Sequence, residues 1–230
     1  MHHRNPDVVN LAQLLGRTPG SVALKLGNFA RLDPSLKSRG IVGMSHGAKG
    51  EEAIWLEFVD DPEALAVEAA TMKKQISGEL TESEDTAPPL GRDALGMAKR
   101  RIGQGFFRSA VLAAYDERCC VTGLSIPSLL MASHIIGWAD DSTHRTNPRN
   151  GLCLNALHDR AFDRFLMFFD DDRRVRFVAH RFPSGFHSEE GNHWLLSFEG
   201  QQMREPNRFL PEPAFLARHR EQALIGQAGP

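Results

Sequence analysis

Residues 128–163 read SLLMASHIIGWADDSTHRTNPRNGLCLNALHDRAFD. The run Ser128 to Ile135 is apolar enough for a β-strand, and Gly151 to Leu154 predicts a second, shorter strand. Asn155 to Asp163 has the composition of a helix. The predicted order is therefore strand, loop, strand and helix. Polar residues stand on each part: a histidine on the first strand, an asparagine at the end of the loop and a histidine on the helix.

The sequence around these polar residues resembles the HNH endonuclease family. The resemblance is carried by Ala132-Ser133-His134-Ile135, Asn150-Gly151-Leu152, Leu157-His158-Asp159 and Phe162-Asp163. It extends from about Ile102 to Phe169 and is closest to a subgroup of restriction and phage-defence nucleases. The resemblance implies a ββα-metal fold and hydrolysis of phosphodiester bonds.

The chemistry of that reaction explains the residue types. Phosphodiester hydrolysis needs a water made nucleophilic near neutral pH, and the pKa of histidine suits it to take the proton. It also needs a cation to stabilise charge on the phosphate. By resemblance, His134 is the general base, Asn150 holds the base strand in position, and His158 is a ligand of one divalent cation, Mg²⁺ or Mn²⁺.

One position departs from the family pattern. Many members carry Asp or His immediately before the base as a second metal ligand, whereas this chain has Ser133 there. Asp163 and Asp159 are the alternative ligands, and Asp163 also suits a role in fixing the end of the helix. The spacing of the three cysteines contains no CxxC pair, so no structural zinc is expected.

The charge distribution is uneven. A formal net charge of −2 argues mildly against nucleic-acid binding, because phosphate contact favours a basic surface. Local charge matters more than the total, and arginines surround the motif. Arg145 and Arg149, in the loop, are candidates to contact phosphate.

The first residues predict two helices joined by a short turn. Asp7 to Gly16 places apolar residues on one face, and Thr18-Pro19 begins a second helix. This arrangement predicts a helix-turn-helix DNA-binding module, in which Arg17 and Lys25 are among the residues that face DNA. The alternative is an ordinary helical hairpin that packs on its neighbour.

The rest of the chain predicts a division into three parts. Residues 1–75 form an N-terminal helical module, 76–95 an acidic linker, and 96–230 the nuclease domain with a C-terminal extension. The linker prediction rests on its polar composition. Further elements are expected at Pro62 to Met72 (helix), Arg100 to Tyr115 (helix), Leu166 to Phe169 and Val175 to Val178 (hairpin), Trp194 to Phe198 (strand) and Pro213 to Leu224 (helix).

Together these features predict an α+β protein that acts on DNA in restriction or anti-phage defence. We expect no membrane segment, a cytoplasmic location because three cysteines cannot all pair, and a homodimer if the cut is palindromic. Two alternatives stay open. One is a nuclease of another target, such as RNA, or a nickase; the other is a non-catalytic DNA-binding regulator with a decayed HNH fold.

Overall fold

The computed structural model describes residues 2–38, 40–41, 43, 47, 49–78, 92–182 and 190–225. The chain divides into two compact units, Met1–Gly103 and Gln104–Pro230. The helices are α1 (Pro6–Leu14), α2 (Pro19–Ala30), α3 (Pro34–Ser38), α4 (Lys49–Phe58), α5 (Pro62–Ser77), α6 (Arg92–Ala114), α7 (Ala156–Asp163), α8 (Glu190–Leu196) and α9 (Pro213–Leu224); the strands are β1 (Leu130–His134), β2 (Gly151–Asn155), β3 (Met167–Phe169) and β4 (Val175–Phe177). Helices with small antiparallel sheets confirm the α+β class.

The two helices predicted at the N-terminus are present. Asn5 caps α1 and the Thr18 side chain accepts a hydrogen bond from the backbone of Ser21 at the start of α2, while Pro6 and Pro19 occupy first helical positions. A small core of Val8, Ala12 and Val22 joins them. A helical hairpin is thus confirmed, whereas the helix-turn-helix DNA-binding role stays a prediction.

The predicted linker falls largely outside the described residues. Helix α5 extends to Ser77, with Gly78 at its C-cap in the left-handed conformation, and α6 begins at Arg92. Residues 79–91 lie outside the part of the chain that the structure describes. The predicted domain limits near 75 and 95 therefore stay predictions. No helix of the described residues has the length and hydropathy needed to span a membrane.

A β-hairpin with a helix packed on it forms the centre of the second unit. Strands β1 and β2 are antiparallel, with Leu130 opposite Asn155 and His134 opposite Gly151. Helix α7 follows β2 directly and contacts both strands. The core beneath them has fully buried side chains from α6, the hairpin and α7, including Phe107, Leu130, Leu152, Leu154 and Phe162. Removing this apolar surface from water stabilises the arrangement.

The second hairpin is as predicted, but the strand expected at Trp194 to Phe198 is wrong. Strands β3 and β4 pair with Phe169 opposite Val175. Trp194 lies instead in helix α8, and the backbone amide of Ser197 donates to the carbonyl of His193 in helical fashion. A short segment with four apolar residues in five fits both a strand and a helix. Here the i, i+4 spacing brings Trp194 and Phe198 against the same buried histidine, His158.

Gly151 allows α6 to approach the hairpin closely. A Cβ atom at this position would lie 2.9 Å from Cζ of Phe107 and would also collide with the side chain of Val111. Gly151 is the cross-strand partner of His134. The absence of a side chain at residue 151 therefore lets the Phe107 ring lie beside the end of β1, where His134 stands.

His219 ties α9 to the end of α7. Its side chain is buried, its ring stacks on Phe162 with 3.6 Å between centroids, and Nε2 donates to the Phe162 carbonyl over 3.1 Å. Burial lowers the pKa of His219 to about 4, although the hydrogen bond to Phe162 by itself raises the pKa. The imidazole is therefore neutral in the folded protein at pH 7.

The low pKa of His219 predicts acid sensitivity. A histidine in the unfolded chain takes up a proton near pH 6.5, whereas His219 in the folded protein does so near pH 4. The contribution of buried His219 to stability is therefore full above pH 6.5 and is lost as the pH falls toward 4. The free energy of unfolding should fall in both proteins when the pH is lowered from 7.5 to 4.5. We expect this loss to be smaller in His219→Phe than in the wild type by about 2–3 kcal/mol. Urea unfolding at several pH values measures this difference, and parallel pH profiles would contradict it.

Candidate active site

His134 closes the first strand between two aromatic rings. Its imidazole stacks on Phe107 at 3.8 Å between centroids with an interplanar angle of 9°, and it meets Trp138 edge-on at 5.6 Å. The residue is half-buried. These contacts hold the ring plane in one orientation, which is what a group that must accept a proton in a defined direction requires.

A backbone hydrogen bond determines which nitrogen of His134 carries the proton. Nε2 lies 2.8 Å from the carbonyl oxygen of Arg145. A carbonyl oxygen can only accept, so Nε2 is the N–H donor, and the neutral ring keeps its lone pair on Nδ1. Burial lowers the pKa of His134 despite the opposing effect of the Arg145 carbonyl. At pH 7 the residue is therefore neutral, with Nδ1 able to accept a proton.

Asn150 closes the loop that follows His134. Its side chain is buried; Oδ1 accepts from the Ile136 amide at 2.8 Å, and Nδ2 donates to the carbonyls of Ile136 at 3.0 Å and His144 at 3.2 Å. The Asn150 carbonyl also accepts from the Ile135 amide. The side chain of Asn150 thus joins the residues after His134 to the segment that carries Arg145, whose carbonyl accepts from His134.

Removing the Asn150 amide is expected to destabilise this unit. Asn150→Ala leaves one buried N–H and two carbonyls with a lost partner, which costs about 3 kcal/mol in the free energy of unfolding. Asn147 provides a matched control in the same loop, because its side chain accepts one hydrogen bond, from the Arg149 amide, among the described residues. Asn147→Ala should therefore cost less than about 1 kcal/mol. Equal losses in urea unfolding would contradict the role assigned to Asn150.

His158 lies on α7 with its side chain completely buried. Asn155, the N-cap of α7, accepts the backbone amides of Leu157 and His158 through Oδ1 and donates through Nδ2 to Thr122. Its amide orientation is thereby defined. Because Nδ1 of His158 lies 3.1 Å from the same Oδ1, Nδ1 must be the donor, and the lone pair of the ring lies on Nε2.

The surroundings of Nε2 of His158 fit those of a metal ligand. It is buried and has no hydrogen-bond partner among the described residues. Trp194 and Phe198 approach the ring at 5.5 and 5.2 Å, and burial lowers the pKa of His158 to about 4. A neutral imidazole with one nitrogen bound to a side-chain oxygen and a lone pair on the other is the form that binds divalent cations.

Asp163 stands at the last position of α7. Partial burial and then repulsion from Asp159, one helical turn earlier, raise the pKa of Asp163. Within the described ranges, no three His, Cys, Asp or Glu side chains converge to hold a metal ion. A site with one or two protein ligands suits Mg²⁺, which keeps several waters and takes oxygens from substrate phosphate. The residues present fit that kind of site.

The four basic residues predicted to contact DNA have different surroundings. Arg145 donates through Nε to the Trp138 carbonyl at 2.7 Å and lies 5.4 Å from the Trp138 ring centroid. Nη1 of Arg149 lies 4.0 Å from Oε2 of Glu212, a separation typical of a weak surface ion pair. Arg17 is exposed. Lys25 donates to the buried Glu51 at 2.7 Å, so a phosphate would compete with this carboxylate.

Several residues that shape the site were not singled out from the sequence for these roles. Phe107 is the stacking partner of His134. Asn155 orients His158, and an asparagine at the start of the predicted helix is a signal that an N-cap gives. Trp194 and Phe198 reach His158 across the chain, and no local pattern indicates that contact.

A comparison with protein families matches residues 119–170, which contain β1, β2 and α7, to the family described as HNH endonuclease. This segment is similar to HNH endonucleases. The family comparison therefore confirms the resemblance and supports a nuclease. The matched HNH segment holds His134, Asn150 and His158, while α1 to α5 and α9 lie outside it. A comparison with curated proteins gives no match.

Proposed function

We propose that the protein is a metal-dependent endonuclease that hydrolyses DNA phosphodiester bonds. The observation that carries this proposal is the state of His134: a neutral imidazole held between Phe107 and Trp138, with its proton on Nε2 and its lone pair on Nδ1. A base of this kind removes a proton from water at neutral pH. Its place in an HNH domain supports phosphodiester bonds as the substrate.

The protein's own groups account for the proton transfer. Water attacks phosphorus as its proton passes to Nδ1 of His134, and the bond from phosphorus to the leaving oxygen breaks. The leaving oxygen then takes a proton from solvent. The Arg145 carbonyl stabilises the imidazolium that forms, since it accepts from Nε2 in both protonation states. Asn150 keeps that carbonyl in place through the loop.

The cation belongs on the α7 side of the site. Nε2 of His158 supports its role as one ligand, and Asp163 is the carboxylate predicted from the sequence. A bound Mg²⁺ or Mn²⁺ would stabilise negative charge on the phosphate and the leaving oxygen. Water and phosphate oxygens would complete its shell.

DNA contact is proposed for the loop arginines first. Arg145 and Arg149 belong to the segment that positions His134 and so are suited to contact phosphates next to the scissile bond. Arg17 and Lys25 would contact DNA through the N-terminal hairpin if it reads DNA as a helix-turn-helix. Restriction or anti-phage defence is the setting we propose, with a homodimer for a palindromic cut.

A plasmid digest tests the proposed reaction. We expect supercoiled plasmid to become nicked and then linear with Mg²⁺ or Mn²⁺, and to stay intact with EDTA. Single-stranded DNA and RNA in parallel reactions identify the substrate class, and accumulation of nicked circles alone would indicate a nickase. If the plasmid stays intact with every metal while the protein shifts the same DNA on a gel, the nuclease proposal is wrong and the protein is a DNA-binding regulator.

A further inference from the structure

The side chain of Arg145 fastens the loop that follows His134, in addition to the bonds made by Asn150. Nε of Arg145 donates to the carbonyl of Trp138, seven positions earlier, over 2.7 Å. This distance is short for a hydrogen bond to a carbonyl, as expected when the donor is charged. Arg145 is therefore bonded back to the first part of the loop, although it lies in the second part.

The same residue contacts the candidate base through its main chain. The Arg145 carbonyl accepts from Nε2 of His134 over 2.8 Å. Asn150 bonds to the carbonyl of the preceding residue, His144, but the backbone has two soft dihedral angles per residue. A fixed carbonyl at residue 144 therefore leaves the direction of the next carbonyl open. The side-chain bond of Arg145 restricts its own backbone and so limits that direction.

Trp138 completes a closed set of contacts around His134. Its ring meets the imidazole edge-on at 5.6 Å between centroids, and the guanidinium carbon of Arg145 lies 5.4 Å from the same ring centroid. The second distance is within the range of a cation–π contact. Each of the three residues thus contacts the other two. A displaced Arg145 side chain would disturb the imidazole both through the carbonyl and through the indole ring.

We propose that Arg145 is a positioning residue for His134: its Nε bond to the Trp138 carbonyl keeps the Arg145 carbonyl directed at Nε2 of the imidazole. This inference rests on the proposed function, in which Nδ1 of the same ring takes the proton of water. Positioning is separate from the phosphate contact proposed for the Arg145 side chain, because the Nε bond lies within the protein and needs no DNA. The two Nη groups take no part in the Nε bond and are left for a phosphate.

Two uncharged replacements of Arg145 separate positioning from phosphate contact. In Arg145→Gln, the amide nitrogen stands at the same place along the side chain as Nε and keeps a donor. Arg145→Met has a similar length but no donor. Both variants remove the positive charge and with it the cation–π contact. A phosphate contact is therefore lost equally in the two variants, whereas positioning is lost only in Arg145→Met.

Hydrogen exchange of the ring proton of His134 tests the proposal without DNA and without cleavage. The exchange rate of the Nε2 proton is measured by NMR on the isotope-labelled full-length protein and reports local opening of its hydrogen bond. The Nε2 proton of His219, which is bonded to a different carbonyl, provides the internal reference. We expect exchange at His134 to be at least about 10-fold faster in Arg145→Met and within about 3-fold of the wild type in Arg145→Gln, with His219 within about 2-fold in both.

Two results of the exchange measurement would overturn the proposal. Equal exchange rates at His134 in Arg145→Met and Arg145→Gln would show that the Nε donor makes no difference. Equal acceleration at His134 and His219 in Arg145→Met would show a general loss of stability instead of a local one.

Single-turnover cleavage at saturating DNA is measured separately on the same variants. We expect Arg145→Met to cut about 10-fold more slowly than Arg145→Gln, while the two variants bind DNA equally. Equal exchange rates in variants of a protein that cuts DNA would reject this inference alone. Faster exchange in Arg145→Met, together with a wild type that cuts no DNA, would reject the nuclease proposal and leave the positioning of His134 standing.

Discussion

His134→Ala should lower the rate of DNA cleavage by about 10²–10⁴-fold, the range that a positioned general base contributes. The Nδ1 lone pair is lost with the ring, while the Arg145 carbonyl and the Asn150 contacts belong to other residues. Single-turnover cleavage of a labelled duplex measures the rate. A gel shift with Ca²⁺ in place of Mg²⁺ measures DNA binding, which we expect to change less than about 3-fold.

A second histidine provides the control for this change. His180 is exposed on a short 3-10 turn and takes no part in the site described here. His180→Ala should cut DNA at a rate within about 2-fold of the wild type. Cleavage by His134→Ala at the wild-type rate would remove His134 from the mechanism, and equal losses in both variants would point to a general effect on the protein.

The pH dependence of the cleavage rate also tests the role of His134. Burial lowers the pKa of His134, so the neutral form persists below the pH at which an exposed histidine becomes protonated. Activity should therefore be retained as the pH falls through 6.5 and be lost only at lower values. A rate that already falls between pH 8 and 7 would indicate a different base.

His158→Phe is expected to abolish cation binding with little loss of packing. Phenylalanine keeps an aromatic ring against Trp194 and Phe198 but has no lone pair to replace Nε2. We expect Mn²⁺ affinity to fall at least about 10–100-fold, and cleavage to fall with it at a fixed metal concentration. Isothermal titration and single-turnover cleavage measure the two effects.

Two comparisons separate a ligand from a packing residue. His219→Phe makes the same change at a second buried histidine whose Nε2 already donates to a carbonyl, so Mn²⁺ affinity should stay within about 2-fold. Excess Mn²⁺ should restore part of the activity of His158→Phe by mass action, but none of the activity of His134→Ala. Wild-type affinity in His158→Phe would show that Nε2 is not a ligand.

The sequence placed the candidate residues on their elements because strand, loop and helix occur in one continuous segment. The apolar run at residues 128–135 and the composition of residues 155–163 placed His134 and His158 on the correct elements. The caps at Thr18 and Pro19 and the apolar face of the first helix predicted the N-terminal hairpin. In each case the signal was local, because caps and short-range periodicity are properties of neighbouring residues.

The sequence could not predict the surroundings of those residues. Phe107, which stacks on His134, lies 27 positions earlier in the chain. Trp194 and Phe198 enclose His158 from a helix whose short apolar run also suits a strand. The protonated nitrogen of each imidazole depends on an oxygen placed by the tertiary fold, from Arg145 for His134 and from Asn155 for His158.

The loop between His134 and Asn150 is fastened through its main chain. The loop's hydrogen bonds to these two side chains come from the amide of Ile136 and the carbonyls of Ile136, His144 and Arg145, which belong to the main chain. Exposed positions such as Ser142 and Thr143 are therefore open to randomisation in a library. Directed evolution could alter that segment while the contacts of His134 remain undisturbed.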